Sequence, residues 1–314
     1  MTATPAGVPD GTGQIVAAGS ASGSIYDLGY RRYTGPRLGR RHAVAALLRH
    51  GIRSAYGLGR PGRTKIIPMG LAVLAALPAV VALGVAALAS QTGATNQLDE
   101  ASPIRYETYW QAIAQLLALF VAAQAPELIT RDIRWRVLAL YFTRALRRDD
   151  YALAKVGALI VALVVFILGP QLLIFVGRSL VSSDIPGSIS KDLPKLPPVI
   201  VQTGLAACLL AALGVAIASF TPRRAYATVA IIAVFTVPPI VTAAAARIID
   251  RDLASLLTLL SPIDILDGTN AYLFGLEVPD TVIRVDLWWY PIAALVWIVV
   301  ALGVMLWRYR RIEP

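Results

Sequence analysis

Six stretches of this sequence contain no Asp, Glu, Lys or Arg: Ile66 to Leu98, Thr108 to Pro126, Val156 to Gly177, Leu196 to Pro222, Ala225 to Ala246 and Leu287 to Trp307. A bilayer core needs about 20 predominantly apolar residues in helical form, and each stretch is long enough to supply them. A seventh apolar run, Leu253 to Ile263, is too short to cross and is expected to dip into the membrane or lie on it. With 57% hydrophobic residues against 15% charged, the composition is far from that of a soluble surface. The predicted fold class is all-α integral membrane, with six transmembrane helices.

Orientation follows from the placement of Lys and Arg, which stay with cytoplasmic loops. If the first span leaves the cytoplasm, residues 1–65, 127–155, 221–224 and 308–314 fall on one side. They hold 22 of the 29 basic residues and seven acids, a net charge of +15, while the other side nets −5. Both termini are therefore expected in the cytoplasm. The whole-chain charge of +10 would suggest nucleic acid in a soluble protein, but here it follows the membrane topology, and no nucleic-acid partner is expected.

Several chemistries have no footing in the residues. The single cysteine, Cys208, lies in an apolar run and builds neither a disulfide nor a thiolate metal site. His42 and His50 have no acidic or sulfur neighbour between them and read as polar-face residues, so no metal is expected. The spans contain no H-E-x-x-H, no pair of aspartates and no Ser with His, so no catalytic site is expected in this chain. Gly57 to Thr64, GLGRPGRT, satisfies loose dinucleotide and P-loop patterns, but a basic segment precedes it and a membrane span follows where those motifs need a strand and a soluble helix. The first residues lack the basic and apolar regions of a signal peptide, so no cleavage is expected.

The chain divides into a flexible tail, 1–24, a basic amphipathic segment, 25–65, a six-span domain, 66–308, and a cytoplasmic tail, 309–314. The spans fall near 66–90, 108–128, 155–177, 197–220, 225–246 and 287–307, with an external re-entrant segment near 250–275. The basic segment opens with Tyr26, Tyr30 and Tyr33. From Arg41 to Leu58, the residues Val44, Leu47, Leu48, Ala55 and Leu58 keep near-helical spacing, while Arg41, Arg49 and Arg53 step by multiples of four. This predicts an elbow helix before the first span, its arginines meeting lipid headgroups.

The link from Glu127 to Lys155 is longer than two neighbouring spans require. Its apolar core, VLALYFTRAL from Val137 to Leu146, is flanked by Arg131, Asp132, Arg134 and Arg136 on one side and by Arg147, Arg148, Asp149 and Asp150 on the other. A short helix that docks a partner is expected there, between spans two and three. In the spans, Gln111, Gln115, Gln124, Gln171 and Gln202 are the amides at depth, and Gln111, Gln115, Gln171 and Gln202 are candidate path-lining residues. Pro78, Pro170 and Pro238-Pro239 are expected to bend the first, third and fifth spans.

This organisation resembles the membrane subunits of ABC exporters of the type 2 class, which include drug-efflux, sodium-efflux and copper-enzyme maturation permeases. That family joins its second and third spans by a coupling segment, acidic at its start and closing near S-x-P-x-x-R-x-x-x-x-x-x-K. Here Thr143, Arg148 and Lys155 fall at the Ser, Arg and Lys positions and Asp132 near the acidic start. Ala145 stands where proline is usual, and Arg136-Val137 where Gly-Thr is common.

The tight turn Thr221 to Arg224 and the external Leu260-Ser261-Pro262 are also similar to the family. The resemblance implies an export permease in the bacterial cytoplasmic membrane, paired with a second permease chain as homodimer or heterodimer. Two ATP-binding subunits, carrying ATP and Mg, would dock on Arg131, Asp132, Arg134, Arg144, Arg147, Arg148, Asp150 and Lys155. The alternatives are a membrane scaffold or sensor, and an ion-coupled secondary transporter. The latter is weakened by the lack of ionisable groups in the six runs.

Overall fold

In the computed structural model the apolar runs become the middles of helices, and two of these extend well into the charged residues that flank them. The structure describes residues 35, 38–59, 61–92, 105–142, 146–182, 184–276 and 285–311. The tyrosines at 26, 30 and 33, the tail 1–24, and Thr143, Arg144 and Ala145 of the link lie outside them. The larger of the chain's two units spans Leu38–Pro314.

The helices of the larger unit are α1 (Arg40–Ala55), α2 (Ile66–Thr92), α3 (Tyr106–Arg134), α4 (Leu138–Phe142), α5 (Arg148–Val181), α6 (Ile185–Asp192), α7 (Leu196–Ser219), α8 (Arg224–Ile248), α9 (Arg251–Thr258), α10 (Pro262–Phe274) and α11 (Trp289–Arg310). No strand occurs among the described residues. Six of these helices, α2, α3, α5, α7, α8 and α11, are long and apolar enough to cross a membrane, so the chain is a multi-pass membrane protein.

Helix α7 is the hub, packed against α3, α5, α8, α10 and α11. Two thirds of its most apolar window is buried (67%), as in α3, whereas α2 and α8 bury only 17% of theirs. Small residues permit this: Ala206, Ala207, Ala211 and Ala212 are fully buried, and a side chain at Gly214 would run into Val121 of α3.

Prolines sit inside α2 (Pro78), α3 (Pro126), α5 (Pro170) and α8 (Pro238, Pro239), and each of these helices continues through them. A proline lacks the N–H that would bond four residues back. In α3 the carbonyl freed by Pro126 belongs to Ala122, and the Thr228 hydroxyl of α8 donates to it at 3.0 Å.

Helix α1 buries Leu47, Gly51, Ser54 and Ala55 on one face and packs on α5 and α3. Gly51 lies so close that an added Cβ would come within 2.5 Å of Ala158 Cβ. The Tyr56 hydroxyl, just past the helix, donates to Ala162 O at 2.7 Å. With Arg40 joined to Asp150, this carries the contact from Asp150 to Ala162, about 18 Å along α5 at ~1.5 Å per residue. Gly57 and Gly59, both with positive φ, turn the chain toward α2.

The short apolar run Leu253 to Ile263 is not one element. Ser261 caps α10, its hydroxyl accepting from Asp264 N, and Pro262 occupies the first turn, so the run breaks between α9 and α10. The element that packs into the bundle is α10, which contacts α3, α7, α8 and α11. Gly275, with φ 61°, ends it.

Candidate functional site

At the end of the bundle where α3 stops and α5 starts, the link folds over a buried polar triad. Lys155 is 4% exposed; its ammonium lies 2.8 Å from Asp132 Oδ2 and donates to Leu128 O at 2.8 Å. The Tyr151 hydroxyl donates to the same Asp132 Oδ2 at 2.7 Å. A buried cation needs both a counter-charge and hydrogen-bond acceptors, and here one carboxylate and one carbonyl supply them. The Tyr151 ring then serves as a platform. Tyr141 and Phe142 of α4 pack on it at centroid distances of 5.5 and 6.3 Å, and Tyr309 of α11 at 5.6 Å.

Two bidentate pairs bracket the first turn of α5. Arg40 Nε and Nη2 donate to Asp150 at 2.6 Å each. Arg310 Nε and Nη2 donate to Asp149 at 3.1 and 2.9 Å. The fork of a guanidinium matches a carboxylate in this way, which fixes orientation as well as distance. Asp150 also accepts from Arg147 N at 3.0 Å, capping the helix. Arg148 donates to Arg310 O at 2.7 Å, and its guanidinium lies 5.6 Å from the Phe142 centroid. The start of α1, the start of α5 and the end of α11 are thus tied together at one end of the bundle.

Beside this cluster, Glu127 of α3 is 9% exposed and holds two cations: Arg131, one turn on, at 2.8 Å, and Arg224 at the start of α8, at 3.0 Å. They border a cleft of about 320 Å³ lined by Glu127, Thr130, Arg131, Arg134, Trp135 and Pro222 as well as Arg224. Trp135 is 68% exposed, with the Arg134 guanidinium 5.6 Å from its ring. Between α3 and α4, Arg136 takes φ 51°, in the left-handed region that side chains avoid.

The residues expected to meet a partner therefore divide. Asp132 and Lys155 are inside the triad, Asp150 and Arg148 are engaged with α1 and α11, and Arg131 is tied to Glu127. Arg134 and Arg147 are exposed, and Arg144 lies outside the described residues. Arg41, Arg49 and Arg53 are all exposed on α1. Of the candidate path amides, Gln111 and Gln115 lie exposed on α3, while Gln171 and Gln202 are buried. Gln202 donates to Leu266 O of α10 at 3.0 Å, bonding between helices, and its Oε1 has no partner. The structure does not bring the four amides onto one surface of this chain.

Helix α10 lies inside the re-entrant segment expected near 250–275, but its polar residues are not among the expected site residues. Asp267 accepts from Trp110 Nε1 at 2.6 Å, Asp264 accepts from the Thr242 hydroxyl at 2.6 Å, and Asn270 donates to Glu107 O at 2.8 Å. Burial pushes the Asp267 carboxyl up to about 6, the Trp110 N–H drawing it back only in part; burial raises Asp264 in the same sense. The signal in the sequence is the repeated three-residue spacing of Asp264, Asp267 and Asn270 after a Ser-Pro start, which marks a helix with one polar stripe. On α6, Asp192 is 1% exposed and joins Arg178 at 3.3 Å and Lys195 at 3.1 Å, anchoring the opposite end.

No group of three or more His, Cys, Asp or Glu side chains among the described residues is placed to hold a metal ion. No family model matches the sequence, and no curated protein matches it.

Proposed function

We propose that this chain is the membrane-spanning permease subunit of an ABC exporter of the type 2 class, in a bacterial cytoplasmic membrane. It forms the translocation path for a hydrophobic or amphipathic substrate together with a second permease chain. Two copies of a separate ATP-binding subunit bind ATP and Mg and dock on the link between α3 and α5.

The observation that carries this reading is the latch beneath α4. A helix of five residues rests on Tyr151, and Tyr151 is tied through Asp132 and Lys155 to α3 and α5 and through Tyr309 to α11. The Arg40–Asp150 pair adds α1. A displacement applied at α4 is therefore delivered to three spans and to the helix before the first. Coupling at a distance requires such a chain of packed side chains and ion pairs.

Two further observations support it. Arg136 holds a left-handed backbone at the position where the family commonly has glycine, the residue suited to that conformation. Gln111 and Gln115 present amides on the lateral surface of α3, where a second chain can satisfy them. The test is co-purification: a tagged chain extracted from its native host in mild detergent should retain a stoichiometric ATP-binding protein. Its absence across several detergents would overturn the reading.

A second reading, an ion-coupled secondary transporter, is favoured by one observation, the Asp264 and Asp267 carboxyls buried in α10. Carriers of that kind keep ionisable groups within the bundle. Transport in proteoliposomes driven by a pH gradient without ATP, and lost in Asp267→Asn, would decide for it.

A further inference from the structure

Between α7, α8 and α11 lies an apolar groove of about 480 Å³, whose lining includes Leu213, Ala216, Phe220, Tyr226, Trp297 and Ala301. Alanines on α7 and α11 let it sink between the helices. Along α7 it runs from Phe220, at the basic end, to Leu213, about 10 Å deeper at ~1.5 Å per residue. An extended hydrocarbon chain can lie along a groove of this length, against a lining that is almost wholly apolar.

The groove opens beneath two arginines. The Arg308 guanidinium stands 5.9 Å from the Phe220 centroid, and Arg223 stands 5.4 Å from that of Tyr226 and donates to its hydroxyl at 3.1 Å. Both aromatic rings line the groove, and each carries one of the two cations beside it rather than in the lining itself. Arg308 Nε is buried and has no acceptor. Four acids are described at this end, and each is engaged elsewhere: Glu127 with Arg131 and Arg224, Asp132 with Lys155, Asp149 with Arg310 and Asp150 with Arg40. Among the described residues neither Arg223 nor Arg308 meets a carboxylate.

From this arrangement we infer a binding site for an anionic glycerophospholipid, one acyl chain in the groove and the phosphodiester between Arg223 and Arg308. The surrounding bilayer solvates an acyl chain as well as the groove does, so the headgroup sets the selectivity. A zwitterionic lipid brings an ammonium of its own against two arginines, whereas an anionic one supplies the missing counter-charge. A second copy of this chain is the poorer occupant, because its described acids at the same end are already paired.

The experiment compares dioleoyl phosphatidylglycerol with dioleoyl phosphatidylcholine, added to the full chain in mild detergent and read by native mass spectrometry. Phosphatidylglycerol should bind preferentially, and Arg223→Gln/Arg308→Gln should lose about tenfold or more of that affinity, as expected when two charge-assisted contacts go. A second readout needs no change at the arginines: phosphatidylglycerol with brominated acyl chains should quench tryptophan emission, and Trp297→Phe should remove part of the quenching. Equal binding of the two lipids, or an unchanged preference in the double variant, overturns the site. So does Ala216→Phe, if it alters the oligomeric mass while leaving lipid binding intact, since the groove is then an interface between copies.

Discussion

Arg40 and Asp150, 110 residues apart in sequence, are joined by two hydrogen bonds of 2.6 Å that pin the first residue of α1 to the first turn of α5. Asp150→Asn keeps the shape and removes the charge. Amide hydrogen exchange in α1 should then accelerate from residue 40 onward, while the buried turn around Leu47 and Gly51 holds. The exchanged pair Arg40→Asp/Asp150→Arg should restore part of the protection; unchanged exchange in the single variant would show that apolar packing alone seats α1.

Lys155 is sensitive to substitution because its charge is almost wholly withdrawn from water. Lys155→Met leaves the part-buried Asp132 without its cation, a loss of about 2–3 kcal/mol, below that of a fully buried pair because the carboxylate keeps some solvent and the Tyr151 hydroxyl. Asp132→Asn/Lys155→Met should recover much of that. Thermal unfolding in detergent reads both, and a single variant as stable as the parent would remove the triad from the account of the latch.

Arg136 should be improvable. Its φ of 51° costs a side-chain-bearing residue on the order of 1 kcal/mol or more, so Arg136→Gly should raise stability by about 1 kcal/mol even after the added freedom of the unfolded chain. A β-branched Arg136→Val should lower it. The pair of unfolding midpoints checks the sign.

The two arginines at the start of α5 should separate in function. Arg147 is exposed, whereas Arg148 is engaged with Arg310 O and Phe142. Under the proposed exporter reading, Arg147→Glu should reduce stimulation of the partner's ATPase while leaving the fold intact, and Arg148→Glu should also loosen α4 and α11, seen as faster exchange at Tyr141 and Tyr309. Full stimulation in Arg147→Glu would rule out a docking role there.

Asp267 gives the bundle a pH dependence. Its carboxyl titrates near 6 in the folded chain against 3.8 unfolded, so the folded state holds the proton more tightly. The stability this confers is fully present below about 3.8 and is lost as pH rises through about 6. Relative to Asp267→Asn, the parent should therefore lose melting temperature between pH 5 and 7.5. Parallel profiles for the two would place the titration elsewhere.

The six spans were legible because a missing charge is a local property: each run can be recognised without knowing its neighbours. The buried face of α1 was legible for the same reason, since Leu47, Leu48 and Ala55 announce it by spacing alone. Helix α10 was not. Its aspartates look like loop residues until Trp110, 157 positions away, is brought to Asp267. Likewise the link's charges read as an open docking surface, when Arg310 and Arg40 had already taken Asp149 and Asp150 from distant parts of the chain. Sequence displays the charges; only the fold displays which of them are spent on each other.

The position of α7 also dictates a schedule. Two of its five packing partners, α3 and α5, leave the ribosome before it, and three, α8, α10 and α11, after it. A nascent chain that has just inserted α7 holds its central helix against half a bundle, with Gln202 still waiting for Leu266. Assembly of this protein must therefore pass through an intermediate whose central helix is open along one side to lipid or to an insertase.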